Sequence, residues 1–220
     1  AITGSQTTPT TPPTPPAKIN MPITEQMITA WKNDAALGGT CIQPQCDASG
    51  KFLLTNGAQA TLGPKKITGN LELDNNSILT LTGTLWVQGE VKLSNGCAIR
   101  LHSSYGALSG LIITDSKVTI SNNCVFQGSG DPASYIMLLS NRNAPLEEVM
   151  VVDNNSAGVI YYAGKGFIKF SNNAAAKEAT AHGMRLDNNA TITYESGLAD
   201  VRFSSGPAGG YDIKHWKEVE

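Results

Sequence analysis

Short runs that alternate apolar and polar residues recur along this chain, and six of them end on the same polar corner. They read Leu71-Glu-Leu-Asp-Asn-Asn-Ser77, Val91-Lys-Leu-Ser-Asn-Gly-Cys97, Val118-Thr-Ile-Ser-Asn-Asn-Cys124, Met150-Val-Val-Asp-Asn-Asn-Ser156, Ile168-Lys-Phe-Ser-Asn-Asn-Ala174 and Met184-Arg-Leu-Asp-Asn-Asn-Ala190. Each places an apolar-x-apolar triplet before Asp or Ser, then an Asn pair, then a small residue. The exchange of Gly for Asn at Gly96 is informative, because these two residues most readily accept a positive φ. A left-handed second corner residue is therefore predicted at Asn76, Gly96, Asn123, Asn155, Asn173 and Asn189.

The first corner residues Asn75, Asn95, Asn122, Asn154, Asn172 and Asn188 stand 20, 27, 32, 18 and 16 residues apart. Internal periods in this range predict stacked coils. The shorter steps suit one turn of two or three short strands, and the longer ones the same turn with a loop bulging out. The excess is Gly/Ser/Pro-rich around 103–110 and 127–134, and 141–148 reads as a third excursion. Between corners, Ile78-Leu-Thr-Leu-Thr82 and Ala190-Thr-Ile-Thr-Tyr194 alternate as half-buried strands do. Stacking would place the apolar pairs in two continuous columns and line the Asn side chains into hydrogen-bonded ladders. The expected fold is all-β, a single-stranded parallel β-helix (β-solenoid).

Ahead of the repeats, Ile23, Met27, Ile28 and Trp31 recur at helical spacing after Thr24, an N-cap candidate, and Gly38-Gly39 would stop the helix. A solenoid has open strand edges at its ends. The helix is therefore expected to cap the first coil with Met27 and Trp31, and Trp216 with Ile213 to close the last. The domain reading is a Thr/Pro-rich stalk at 1–18, a capping helix at 19–38 and the β-helix with its closing segment at 39–220. The stalk includes Thr7-Thr-Pro-Thr-Thr-Pro-Pro-Thr-Pro-Pro16, a polyproline-prone run that cannot bury a core. No signal-peptide pattern stands at Ala1, so an export signal or anchor is expected upstream.

Only 15% of residues are charged, the formal net charge is -2, and no basic stripe occurs, which argues against nucleic acid as a partner. No run of 18 apolar residues is present that would span a membrane. Low charge with 22 Gly, 17 Asn and many Ser and Thr favours an extracellular or cell-surface protein. Four cysteines allow three connectivities. Cys41 and Cys46 can close a small loop, and Cys97 and Cys124 occupy equivalent positions on adjacent coils, about 4.8 Å apart, so pairing within these two sets is expected. There is no paired C-x-x-C set and His102, His182 and His215 are scattered, so no metal or cofactor is expected.

Parallel β-helices often carry carbohydrate chemistry on clustered acids. Here Asp74, Asp153 and Asp187 share their repeat position with Ser94, Ser121 and Ser171. That exchange suits turn capping and not a catalytic pair. Asp115, Asp131, Glu195 and Asp200 are isolated, so no catalytic residue is expected. Tyr105, Tyr135, Tyr161, Tyr162 and Tyr194 lie near loops and strand ends, either stacking on sugars or buried beneath excursions.

The passage from Ile67 to Gly83, with the ending 192–199 and Trp216-Lys-Glu-Val-Glu220, resembles the Asn-laddered parallel β-helix domains of bacterial surface and type IV pilus-associated proteins. It is more distantly similar to polymer-forming bactofilins. The resemblance covers roughly 64–220 and implies a non-enzymatic extracellular structural protein: a filament subunit, or a pilus-associated or adhesive module self-associating through its ends or stalk. The alternative is a module that binds or cleaves surface polysaccharide.

Overall fold

The computed structural model describes residues 21–157 and 159–193. The helix α1 (Glu25–Leu37) comes first, followed by short strands that return at nearly regular intervals. These are β1 (Phe52–Leu54), β2 (Gln59–Leu62) and β3 (Lys65–Ile67), then β4 (Leu71–Leu73), β5 (Ile78–Leu81) and β6 (Leu85–Val87), then β7 (Val91–Leu93), β8 (Ala98–Leu101) and β9 (Gly110–Thr114). The later turns hold β10 (Val118–Ile120), β11 (Val125–Gln127) and β12 (Ile136–Ser140), then β13 (Ala144–Val152), β14 (Ile160–Phe170), β15 (Ala175–Ala176), β16 (Glu178–Leu186) and β17 (Thr191–Ile192).

Most strands pair with the strand three places further along, and every such pair is parallel. One file runs β1, β4, β7, β10, β13 and a second runs β3, β6, β9, β12. The long β14 pairs with the last strand of both, and β16 pairs with β14, giving a single 11-stranded parallel sheet. That sheet is nearly closed round an axis, and the architecture is solenoid-like. The strands β2, β5, β8 and β11 make a third file. Register is strict: Phe52, Leu71, Val91, Val118, Met150, Ile168 and Met184 stand in one column.

The alternation of the short strands puts one side chain in two into the core. In β4, Leu71 and Leu73 are buried while Glu72 points outward, and β7 repeats this with Val91, Lys92 and Leu93. The two strands β9 and β12 break the rule, being buried at all five positions. Their outward side chains lie beneath α1. Leu111, Ile113, Met137, Leu139, Ile160 and Tyr162 form a second apolar cluster with Ile23, Ile28 and Trp31, and Met27 packs against it.

This corrects the expected cap. The helix does not cover the end of the first coil; it lies along the side of the stack. Near its start, the Tyr162 hydroxyl donates to the Ile23 carbonyl at 3.0 Å and Lys165 pairs with Glu25 at 2.7 Å. Mid-helix, Lys32 pairs with Asp115, which also accepts from Trp86 Nε1 at 2.8 Å. At its far end Lys65 donates to the Gly38 carbonyl at 2.7 Å. A 13-residue helix is about 20 Å long, and the four spacings from β3 to β14 measure about 19 Å. The helix is thus long enough to staple five coils. The physical reason is that β9 and β12 carry apolar side chains on their outer face as well, and these need cover. Thr24 caps the helix by accepting from Met27 N at 3.3 Å. Gly38 ends it where a Cβ would stand 1.9 Å from the Pro64 carbonyl oxygen.

The N-terminal end is closed instead by the loop bridged between Cys41 and Cys46, whose Cα atoms are 5.6 Å apart. Both cysteines are 2% exposed and belong to the main core, and Cys41 N donates to the Lys66 carbonyl at 2.7 Å. A further correction concerns 141–148. From Ala144 onward this is strand, the start of β13, paired with β14 through two register shifts. The stalk at 1–18 and the closing residues Ile213 and Trp216 lie outside the described residues.

Two measurements test this arrangement. Trp31 is fully buried; Trp31→Ala is expected to cost about 3–5 kcal/mol and lower Tm by roughly 10 °C in thermal denaturation. The double variant Leu37→Ser/Ile42→Ser, exposed at 83% and 70%, should stay within about 0.5 kcal/mol of the parent.

Candidate functional site: the asparagine corner and its surroundings

The sequence singles out the corners, and the structure brings them into register. Both residues of each pair are left-handed, from Asn75 and Asn76 at φ 49° and 59° to Asn188 and Asn189 at 48° and 62°. The positive φ thus extends to the first position, beyond the second one expected. The sequence reading also missed a copy: Phe52-Leu-Leu-Thr-Asn-Gly-Ala58 begins the stack, with Asn56 at φ 55° and Gly57 at 73°. Its triplet, Asn-Gly pair and small residue were all legible; Thr in place of Asp or Ser hid it.

Each corner is tied to the next along the backbone. The second-position N–H donates to the first-position carbonyl one coil on: Gly57 to Asn75, Asn76 to Asn95, Gly96 to Asn122, Asn123 to Asn154, Asn155 to Asn172 and Asn173 to Asn188, at 2.7–3.1 Å. Side chains run in parallel. Asn122 Nδ2 donates to Asn95 Oδ1 and Asn154 Nδ2 to Asn122 Oδ1, both at 2.9 Å, and Asn188 Nδ2 to Asn172 Oδ1 at 3.0 Å. Amides suit this because each has one donor and one acceptor end to pass along.

The Asp/Ser exchange before the pair serves local capping, as Asp153 Oδ1 accepts from Asn154 N at 2.9 Å, and it also joins one coil to the next. Asp74 Oδ1 accepts from Ser94 Oγ at 2.9 Å and Asn95 Nδ2 at 2.7 Å. Asp153 Oδ1 accepts from Ser171 Oγ at 3.0 Å and Asn172 Nδ2 at 2.7 Å. An Asp on one coil is thus matched by a Ser-Asn on the next, a pairing between coils that no single copy reveals. These hydrogen bonds, Ser94 first and Asn95 second, hold the Asp74 carboxyl below its ordinary value.

Behind the corner runs a column of small buried residues: Ser77, Cys97, Cys124, Ser156 and Ala174, all 0% exposed. Cys97 and Cys124 are bonded across one coil step, with Cα atoms 4.7 Å apart. Sulfur fits here because the column is narrow and the coil spacing lies within disulfide reach. Gly96 suits its corner for a related reason: a Cβ there would stand 2.3 Å from Asn76 Oδ1, so that amide would have to move.

The other candidates separate. Tyr105, Tyr135, Tyr161 and Tyr162 are 6%, 9%, 0% and 3% exposed, so none presents a stacking face, and Tyr194 lies outside the described residues. Burial drives the Tyr105 and Tyr161 hydroxyls above their ordinary values. Asp115 is held by Lys32 and Trp86, and Asp131 caps its own loop by accepting from Ala133 N at 2.9 Å. His102 accepts from Ser104 N at 3.2 Å and caps a single helical turn, and His182 meets the edge of Phe167. Among the described residues no three His, Cys, Asp or Glu side chains gather as a metal would need, and no helix is long and apolar enough to cross a membrane. Glu195, Asp200 and His215 lie outside the described residues.

No family model, curated protein or solved structure matches this chain.

One titrating group stands apart. Glu178, beside Ile160 on the outer face, is 9% exposed and its Oε2 has no hydrogen-bond partner among the described residues; burial lifts its pKa from 4.5 to about 7. A raised carboxyl pKa means that the folded state holds a proton that the unfolded state has released. Stability should therefore fall as pH rises between about 4.5 and 7. Glu178→Gln is expected to remove that slope, measured as Tm at pH 5 and pH 8. At the corner, Asn122→Ala should cost about 2–3 kcal/mol, from a left-handed Ala and two lost ladder bonds, whereas Asn123→Gly should be nearly neutral in the same denaturation assay.

Proposed function

We propose that the chain is a single-stranded parallel β-helix that works as a non-enzymatic structural module outside the cell: a pilus-associated or adhesive spacer, or a filament subunit. The observation that carries this reading is the continuous tie from coil to coil. Seven strands stand in one file from Phe52 to Met184, a column of about 29 Å. Every corner is hydrogen-bonded to the next, one coil step is bridged covalently and α1 staples the side.

Such an object resists extension, because pulling its ends apart loads many backbone bonds together. A β-helix accounts for the pairing better than a closed barrel: each chain turn adds to the last, and among the described residues β1 has a strand partner on one side only. Several side chains that chemistry would recruit are occupied in this framework. Asp74 and Asp153 accept ladder bonds, Asp115 anchors the helix and Tyr105, Tyr135, Tyr161 and Tyr162 are buried. The two disulfides accord with a secreted or surface location, where thiols stay oxidised. The resemblance to the Asn-laddered domains of pilus-associated proteins fits the same role.

The test is direct. Electron microscopy of the purified protein is expected to show rods or filaments, while a glycan array and a reducing-sugar assay should stay negative. Sugar release would overturn the structural reading. Reduction of the Cys97–Cys124 bridge, or Cys97→Ala/Cys124→Ala, should lower stability by about 3–4 kcal/mol, the loop-entropy value for a separation of 27 residues.

A further inference from the structure

Three acceptor sequences for N-linked glycan, Asn-x-Ser/Thr, occur in this chain, and all fall on corners: Asn75-Asn-Ser77, Asn154-Asn-Ser156 and Asn189-Ala-Thr191. Transfer makes two demands. The Asn Nδ2 must reach the donor sugar, and the hydroxyl two residues on must be open to the transferase. A shift of one residue along the corner separates the three. In the first two sequences the Asn is the first corner residue, so its amide belongs to the ladder: Asn154 Nδ2 donates to Asn122 Oδ1 at 2.9 Å and Asn75 Nδ2 to Asn56 Oδ1 at 3.4 Å. Their hydroxyl residues, Ser77 and Ser156, then fall in the small column behind the corner and are 0% exposed.

Asn189 is instead a second corner residue. The side-chain ladder passes from Asn188 to Asn172 and bypasses it, and Gly57 and Gly96 show that the corner forms with no side chain at this position. Asn189 and Thr191 are both exposed. This outward stance belongs to the position and not to the place of the coil in the stack: Asn76, Asn123, Asn155 and Asn173 are exposed although each bonds to a further coil. Thr191 pairs with Ala175 and continues the outward column of Ile78, Ala98, Val125 and Ala157, none of which is buried. We infer that Asn189 is a site of N-linked glycosylation in the folded protein, with a lipid-linked diphosphate oligosaccharide as the donor. The step is a group transfer. Nδ2 bonds to the anomeric carbon, the bond from that carbon to the diphosphate oxygen breaks, the diphosphate leaves with the electron pair, and an Nδ2 proton passes to a base of the transferase. Because this amide takes no part in the ladder, the sugar leaves the ties between coils intact.

The folded full chain, incubated with an oligosaccharyltransferase and its lipid-linked oligosaccharide, gives the test by intact mass and peptide mapping. A single glycan per chain is expected, at Asn189, and none after Thr191→Ala. Two further variants probe the same rule one coil earlier. Ala175→Thr completes the acceptor sequence at Asn173, again a second corner residue, and should add a second glycan. Ala174→Ser completes it at Asn172, a first corner residue whose amide donates to Asp153 Oδ1 at 2.7 Å. Its new hydroxyl would lie at a position that is 0% exposed, so it should add none. A folded chain left unmodified, or modified at Asn75, Asn154 or Asn172, overturns the inference, as does Ala175→Thr with no added glycan. None of these readouts depends on whether the protein forms filaments, so the inference and the structural role fail separately.

Discussion

The left-handed corner sets everything else in this molecule. Two consecutive residues with positive φ turn the chain sharply and leave one N–H and one carbonyl aligned with the axis, ready for the next corner. Asn tolerates that backbone and carries an amide that adds a second set of bonds outside it, running the other way, with its donor on the later coil. Because side chains alternate with a period of two, a slip of one residue would turn every inward apolar pair to solvent. The corner prevents the slip, and the columns of Leu, Val, Ile and Phe follow from it.

Variation in coil length is absorbed away from that corner. The steps of 27 and 32 residues do not disturb the column from Val91 to Met150, since extra chain leaves between strands and returns in register. The excursions are themselves anchored: Ser129 Oγ donates to the Gly106 carbonyl, and Ser134 Oγ to the Leu108 carbonyl at 2.7 Å. The outward face of the corner file carries the exposed ion pairs Lys51–Glu72 and Lys92–Glu90. Pairs of this kind add little stability. Many of the polar groups on the corner file thus tie one coil to the next.

The side staple shows how a second hydrophobic surface arises. The runs Leu111-Ile-Ile113 and Ile136-Met-Leu-Leu139 do not alternate, the mark of strands covered on both faces. They required a partner, and the amphipathic stretch after Thr24 supplied one. Spacing alone located α1 and its Gly stop, while its seat along the stack depended on these distant runs. The sequence reading assigned the helix to an end because ends are the usual liability of a solenoid. Here the unalternating strands were the larger one, and the Cys41–Cys46 loop took the end.

From the sequence by itself came six of the corners, their spacing, the inward and outward sides of the alternating strands, the helix and its Thr24 N-cap, because all of these depend on backbone preference and local periodicity. Only the tertiary structure decided that the first Asn is left-handed too, that Asp74 and Asp153 bind the Ser-Asn of the following coil, that Tyr105, Tyr135, Tyr161 and Tyr162 are buried, and that α1 spans five strands. Each of those depends on which residue of another coil lies opposite. That is a distance of tens of residues along the chain and under 5 Å in space, and no local rule reads across it.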